Sequence, residues 1–236
     1  GEVGVGAGVS VGLLTVTTTA LIDDNATVRA TRDVSVVAGG HEQMTSVTAA
    51  GAGGYVGVAG AVGIFILHVT THANTGDSVL INAGNNVLVS AADDTKSLTI
   101  TGGVAGGFVG IGAGVAILSF TKDTQAFIGS NNTIDAAGDN GSPIDNFVSD
   151  GSRPHGTSYA TIPHFRGLAV QARSSEDIFG LAIALGGGFV GVGGAVGVSI
   201  LHVTTSAFIA GGSLVNMFSA PNPNQSVSVS ALDSFK

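Results

Sequence analysis

Along residues 190–200 the chain alternates. Val190, Val192, Val196, Val198 and Ile200 fall on one face, and Gly191, Gly193, Ala195, Gly197 and Ser199 fall on the other. A period of two is the signature of a strand, and β-branched residues suit its pleated surface. Neither face carries a charge, so the pattern predicts strands buried on both sides. The valine face would supply apolar area, and the Gly/Ala face would admit a second layer of backbone at close range. The uncharged stretch 181–201 is also long enough for a membrane helix, with small-residue spacing at Gly191 and Ala195. Strict alternation, β-branched content and the lack of basic flanks favour strands. A transmembrane barrel would want a polar lumen face where this chain has Gly and Ala. The chain is therefore expected not to span a membrane.

The same pattern recurs. Val3, Val5, Val9 and Val11 stand 53 residues before Val56, Val58, Val62 and Ile64 in the sequence, and Val16-Thr17-Thr18-Thr19-Ala20 overlies Val69-Thr70-Thr71-His72-Ala73 at the same offset. A second application carries Gly54-Tyr55-Val56-Gly57-Val58 onto Gly107-Phe108-Val109-Gly110-Ile111. A fourth copy opens at Gly188-Phe189-Val190-Gly191-Val192, delayed by an insertion at 138–167. Copies of about 1–53, 54–106, 107–187 and 188–236 follow, the last ending part-way through its unit, as in a piece of a longer array. Repeats that cannot bury their own faces stack on their neighbours. The expected fold is all-β: a single parallel β-solenoid of four repeats of about 53 residues with one long loop insertion. Rows such as Thr17, Thr70, Asp123, Thr204 and Val5, Val58, Ile111, Val192 would form ladders. The pattern leaves open one wide coil or two narrower ones per repeat, with a slight preference for one.

Composition narrows the class. Of 236 residues 38 are Gly, only 5 are Pro, 44 % are hydrophobic and 10 % charged, with a net charge of −8. That is too apolar for a disordered chain and lacks the period of collagen. Eight Lys and Arg in total give no basic footprint for nucleic acid. The absence of Cys excludes disulfides, thiolate metal sites and cysteine nucleophiles.

Residues 187–198 (Gly-Gly-Phe-Val-Gly-Val-Gly-Gly-Ala-Val-Gly-Val), 204–209 (Thr-Thr-Ser-Ala-Phe-Ile) and 227–231 (Val-Ser-Val-Ser-Ala) resemble the glycine-rich β-solenoid repeats of giant bacterial surface proteins, the haemagglutinin-like, autotransporter-type and leukotoxin-like adhesins. The resemblance covers the chain outside the insertion. It implies an extracellular or cell-surface stalk or fibre, structural or adhesive, with no catalytic centre in the repeats. Its expected partners are further repeats of the same chain, other copies paired through strand edges, and a surface glycan or receptor.

Several motifs dissolve on inspection. Gly8-Val9-Ser10-Val11-Gly12 has nucleophile-elbow spacing, but it lies within a strand pattern, and the other copies replace Ser10 with Gly63, Ala116 and Gly197. Gly186, Gly188 and Gly191 match a dinucleotide fingerprint without the helix that fingerprint needs. His68 and His72 would stand about 13 Å apart on a strand, too far for one metal. His202 would lie two rungs from His68, with Thr121 between. Asp23-Asp24 and Asp93-Asp94, with Asp77 equivalent to Asp24, read as solvated turns rather than a calcium site. A threonine row that could order water is broken at Lys122 and Asp123. No cofactor and no metal site is expected.

Mixed chemistry is confined to the insertion. Asp145, Asp150, Arg153, His155, Tyr159, His164 and Arg166 are its candidate ligand-binding residues, and Pro143, Pro154 and Pro163 stiffen it. The alternative reading is therefore a carbohydrate-binding or polysaccharide-cleaving β-helix domain acting through 138–167, with acid–base groups from Asp and His and a stacking platform from Tyr159 or Phe165. No catalytic residue is assigned, and the leading expectation is a non-enzymatic protein.

Overall fold

A computed structural model describes residues 1–152, 159–218 and 222–236. Twelve strands follow in order: β1 (Val3–Ile22), β2 (Thr27–Ala30), β3 (Val34–Gly53), β4 (Val56–Thr75), β5 (Leu80–Ala83), β6 (Val87–Gly106), β7 (Val109–Ile128), β8 (Thr133–Ala136), β9 (Gly167–Gly187), β10 (Val190–Ile209), β11 (Leu214–Val215) and β12 (Ser226–Phe235). They form three parallel four-stranded sheets, β1-β4-β7-β10, β2-β5-β8-β11 and β3-β6-β9-β12. Each coil thus runs out along one long strand, turns through a short one and returns along a second long strand. This is a parallel β-solenoid, and one repeat of 53 residues makes one wide coil.

The register matches the sequence repeat residue for residue. Val3 pairs with Val56, Val56 with Val109 and Val109 with Val190. The rows Thr17–Thr70–Asp123–Thr204 and Val5–Val58–Ile111–Val192 form as expected, and Thr121 separates His68 from His202. The insertion enters between β8 and β9. A second, smaller expansion lies between β11 and β12, where Leu168 pairs with Val227, six residues beyond the 53-residue spacing.

The two long-strand sheets face each other, and the space between them has three zones. At the end closed by the short strands, Val34, Val36, Val79, Ile81, Val87, Val89, Ile128, Ile134, Leu168 and Val170 form the main apolar core. Turns into that core are capped between rungs. Asp24 Oδ1 accepts the N–H of Asp77 (2.7 Å), and Asp77 Oδ1 accepts that of Ser130 (2.7 Å). Asn132 accepts from Val79 N (2.6 Å) and donates to Thr75 Oγ1 (2.8 Å). The acidic turn residues Asp24 and Asp77 are therefore committed to backbone N–H groups. Asp93 and Asp94, expected at a turn, instead lie within β6, one pointing in and one out.

At the opposite end the valine face corrects the sequence reading. Val3, Val5, Val9, Val11 and Leu13 are among the most exposed large apolar residues, as are Val192, Val196 and Ile200. The Gly/Ala face points inward alone. A Cβ on Gly4, Gly6 or Gly8 would run into the carbonyls of Gly53, Gly51 or Ala49 on the facing sheet, and Gly112 and Gly114 meet Leu185 and Ile183 in the same way. The two sheets are in backbone contact here, closer than the usual spacing of about 10 Å, so no valine fits between them. The result is a thin blade. Its edge is turned by Gly54, Gly107 and Gly188, and a Cβ on Gly188 (φ 137°) would strike the Gly107 carbonyl. Beside these turns Tyr55, Phe108 and Phe189 stack at 5.0 and 5.2 Å between ring centroids.

Candidate functional site

The insertion folds back over the outer face of the β6–β9 sheet. Isolated antiparallel bridges join Ile144 to Phe165 and Ser149 to Thr161. Val148 and Phe165 are buried on Leu88 and Ala169, with Ile144, Phe147 and Ile162 around them. Gln171 ties the layer down, accepting from Ser149 N (3.0 Å) and donating to the Phe147 carbonyl (3.3 Å). What the sequence presents as a loop is thus a ribbon with its own small core.

The predicted ligand residues separate within this ribbon. Asp145 pairs with His164, Oδ1 to Nδ1 at 2.9 Å, in an exposed position. Asp150 sits in its own turn, where hydrogen bonds from the Ser152 hydroxyl and N–H hold its carboxyl below the usual range. Arg166 is an anchor: Nη1 donates to Asn85 Oδ1 and to the carbonyls of Gly138 and Gly141 at 2.9–3.1 Å. Arg153 and His155 lie outside the described residues. Among the described candidates, only Tyr159 lines a cavity.

That cavity, about 480 Å³, lies on the outer face of the sheet against the ribbon and is lined by Gly39, Gly40, Asp94, Lys96, Tyr159 and Arg173, among others. The Arg173 guanidinium lies 4.8 Å from the Phe147 ring centroid and 5.6 Å from that of Tyr159, an arrangement that favours a cation. Burial pulls the Arg173 pKa down and pushes the Tyr159 phenol up; the guanidinium stays charged. Tyr159 donates to the Ser174 carbonyl (3.1 Å). Asp94 is held by the Ser175 hydroxyl (2.8 Å) and by His41 (3.1 Å).

Directly beneath this outer face, inside the coil, is a cluster that the sequence reading missed. Lys122, on β7 of the facing sheet, is fully buried. Its Nζ lies 2.7 Å from Asp93 Oδ1, 3.0 Å from Glu176 Oε1, and 3.2 Å from the carbonyls of Asp93 and Ser175. Thr71 donates to Asp93 Oδ2 (2.6 Å), and the Thr95 hydroxyl lies 3.1 Å from Asp93 Oδ1 and 3.2 Å from Glu42 Oε2. Ser174 bonds Glu176 on the other side. Burial, with Asp93 alongside, pushes Glu42 up to about 7, and burial also raises Glu176. The signal was in the alternation: Lys122 occupies the inward row of Val16, Val69 and Val203. Its neighbour Asp123 points outward to His72 (3.0 Å). Among the described residues no group of His and carboxylates is arranged to hold a metal ion, and no helix is long and apolar enough to cross a membrane.

Comparison with protein-family models, curated proteins and solved structures returns no match to the chain.

Proposed function

We propose that the chain is a structural segment of a larger β-solenoid array at a bacterial surface, one that associates with further copies through the outer faces of its blade. The observation that carries this reading is the pairing of an unbroken parallel ladder with two apolar outer faces. On one face the rows from Val3 to Leu13 are Val, Ile and Leu, apart from the Ala7–Gly60–Ala113–Gly194 row and Ser119. On the other Val104, Phe179 and Leu185 are exposed. Both bands give way to polar residues: Thr15, His68 and Thr121 on one side, Gln43, Lys96 and Asp177 on the other. At about 3.3 Å per residue and 4.8 Å per rung, the valine face measures roughly 33 by 19 Å, or about 600 Å². That stands at the upper end of the largest apolar patch a solitary soluble protein usually exposes, about 300–600 Å², and approaches the roughly 800 Å² per partner of a stable complex. A surface location agrees with the adhesin-like repeats and the absence of Cys.

Sedimentation velocity tests the proposal. The chain should associate as its concentration is raised, and Val58→Lys with Ile111→Lys should leave a monomer with an unchanged β-type circular dichroism spectrum. A monomeric wild-type chain overturns the reading, as does preferential partition into phospholipid vesicles.

The cavity beside Tyr159 favours a second reading, a glycan subsite. An aromatic ring, a half-buried guanidinium whose buried Nε has no hydrogen-bond partner among the described residues, and Asp94 and Lys96 offer stacking and hydroxyl recognition together. Calorimetry with neutral and acidic oligosaccharides, repeated on Tyr159→Ala, decides it; absence of binding to the wild-type chain overturns it.

A further inference from the structure

The geometry points to a covalent cross-link inside the coil: an isopeptide bond between Lys122 Nζ and Asp93 Cγ, formed by the protein on itself. Four observations converge on it. The amine and the carboxyl are already in contact, at 2.7 Å between Nζ and Oδ1, and both side chains are fully buried. A second carboxyl, that of Glu176, touches the same nitrogen at 3.0 Å. The Asp93 and Ser175 carbonyls, each 3.2 Å from Nζ, can accept the two N–H bonds of a neutral amine and leave its lone pair free. The site also lies inside the coil, although the outer cavity reaches Asp93 and Glu176. Val69 and Val203 flank Lys122 in its own row, Leu67, Phe120, Met44 and Ile178 pack on the blade side, and Ala73, Ala91, Ala126 and Ala172 of the main core lie on the other.

The chemistry balances without a co-reactant. The reaction begins with transfer of a proton across the 2.7 Å contact from Lys122 Nζ to Asp93 Oδ1, which leaves an amine nucleophile beside a carboxylic acid. The nitrogen attacks Cγ, and the Thr71 hydroxyl on Oδ2 stabilises the oxygen that gathers charge. Glu176 takes the proton from nitrogen and returns it to the departing hydroxyl. The C–N bond forms, the C–O bond breaks, one water leaves, and nothing is oxidised or reduced. Burial raises the Glu176 carboxyl above the usual carboxylate range, the direction a group that takes up and returns a proton needs. Fixed orientation of buried groups already in contact supplies the effective concentration that free amines and acids lack in water. The bond would join β6 of the second rung to β7 of the third, stapling the two long-strand sheets across the interior.

Intact-mass spectrometry of the purified full chain tests this. The expected mass is lower than the sequence mass by one water, and digestion should give a branched peptide joining the segments that carry Asp93 and Lys122. Lys122→Arg, which keeps the cation but cannot form the amide, should restore the full mass. Asp93→Asn should lose ammonia instead of water, because the leaving group has changed. Glu176→Gln should slow formation at least about 100-fold. A wild-type chain of full sequence mass overturns the proposal. Loss of water that persists in Lys122→Arg also overturns it, placing the dehydration elsewhere, as at Asp150-Gly151. If the variants fail to fold, the branched peptide in the wild-type digest decides alone.

Discussion

Glu42 and Thr95 occupy adjacent rungs of one inward row, and the Thr95 hydroxyl lies 3.2 Å from the Glu42 carboxylate with Asp93 beside them both. Desolvation is the largest cause raising Glu42 from 4.5 to about 7, and the Asp93 carboxylate adds to it in the chain that has not formed the cross-link. Between those values the folded state holds a proton that the unfolded state has released, so stability falls as pH rises. Thermal midpoints measured from pH 4.5 to 7.5 should decline across this window, and Glu176 acts in the same direction. Glu42→Gln, neutral throughout, should flatten the decline; an unchanged slope would show that Glu42 does not titrate there.

Adjacent blade positions should respond in opposite ways. Gly6 points inward, where a side chain meets the Gly51 carbonyl, whereas Ala7 points outward and is exposed. Gly6→Val should destabilise by about 1–3 kcal/mol through overpacking, and Ala7→Val should leave the denaturation midpoint within about 0.5 kcal/mol. Urea unfolding of the two variants is sufficient; equal effects would contradict the orientation of the face.

Asn132 is fully buried and serves three groups at once, accepting from Val79 N and donating to Thr75 Oγ1 and the Gly76 carbonyl. Asn132→Ala leaves the Val79 N–H without a partner, which costs about 1–3 kcal/mol. Amide exchange should locate the loss at the turn between β4 and β5, where Val79 protection falls first.

The ribbon of the insertion rests on Phe165, 2 % exposed, over Leu88 and Ala169. Phe165→Ala should cost about 3 kcal/mol locally. Proteolysis within 138–167 should accelerate while the main core, built from β5, β6, β8 and β9 among others, keeps its exchange protection. Simultaneous loss of both would mean that the ribbon supports the whole coil.

Much of the fold is written in the repeat. The offset that aligns Val3 with Val56 also predicts the hydrogen-bonded register, because parallel ladders place equivalent residues side by side. The direction of the faces is not legible in the same way. Alternation separates Val5 from Gly6 but does not say which points in, and the lack of charge on either face wrongly implies that both are buried. The deciding quantity is the gap between the sheets, which at Gly4, Gly6 and Gly8 leaves no room even for a Cβ. Lys122 misleads differently. It reads as a break in a threonine row, and its carboxylate partners come from the facing sheet, Asp93 and Glu176 on successive rungs. Of the insertion residues, Tyr159 reaches a cavity, whereas Arg166 is committed to backbone carbonyls that composition does not reveal.

The width of the coil has a kinetic consequence. A strand of the 53-residue repeat finds its ladder partner a full turn of chain away, as Val3 finds Val56, so local contacts do little to hold one rung on its own. Closing so long a loop before any ladder forms is slow. Once one rung exists, its open edge offers the next a template of aligned N–H and C=O groups, and growth becomes stepwise addition. Such a chain should fold from a single nucleus in one direction, keeping pace with its emergence from a ribosome or a secretion pore.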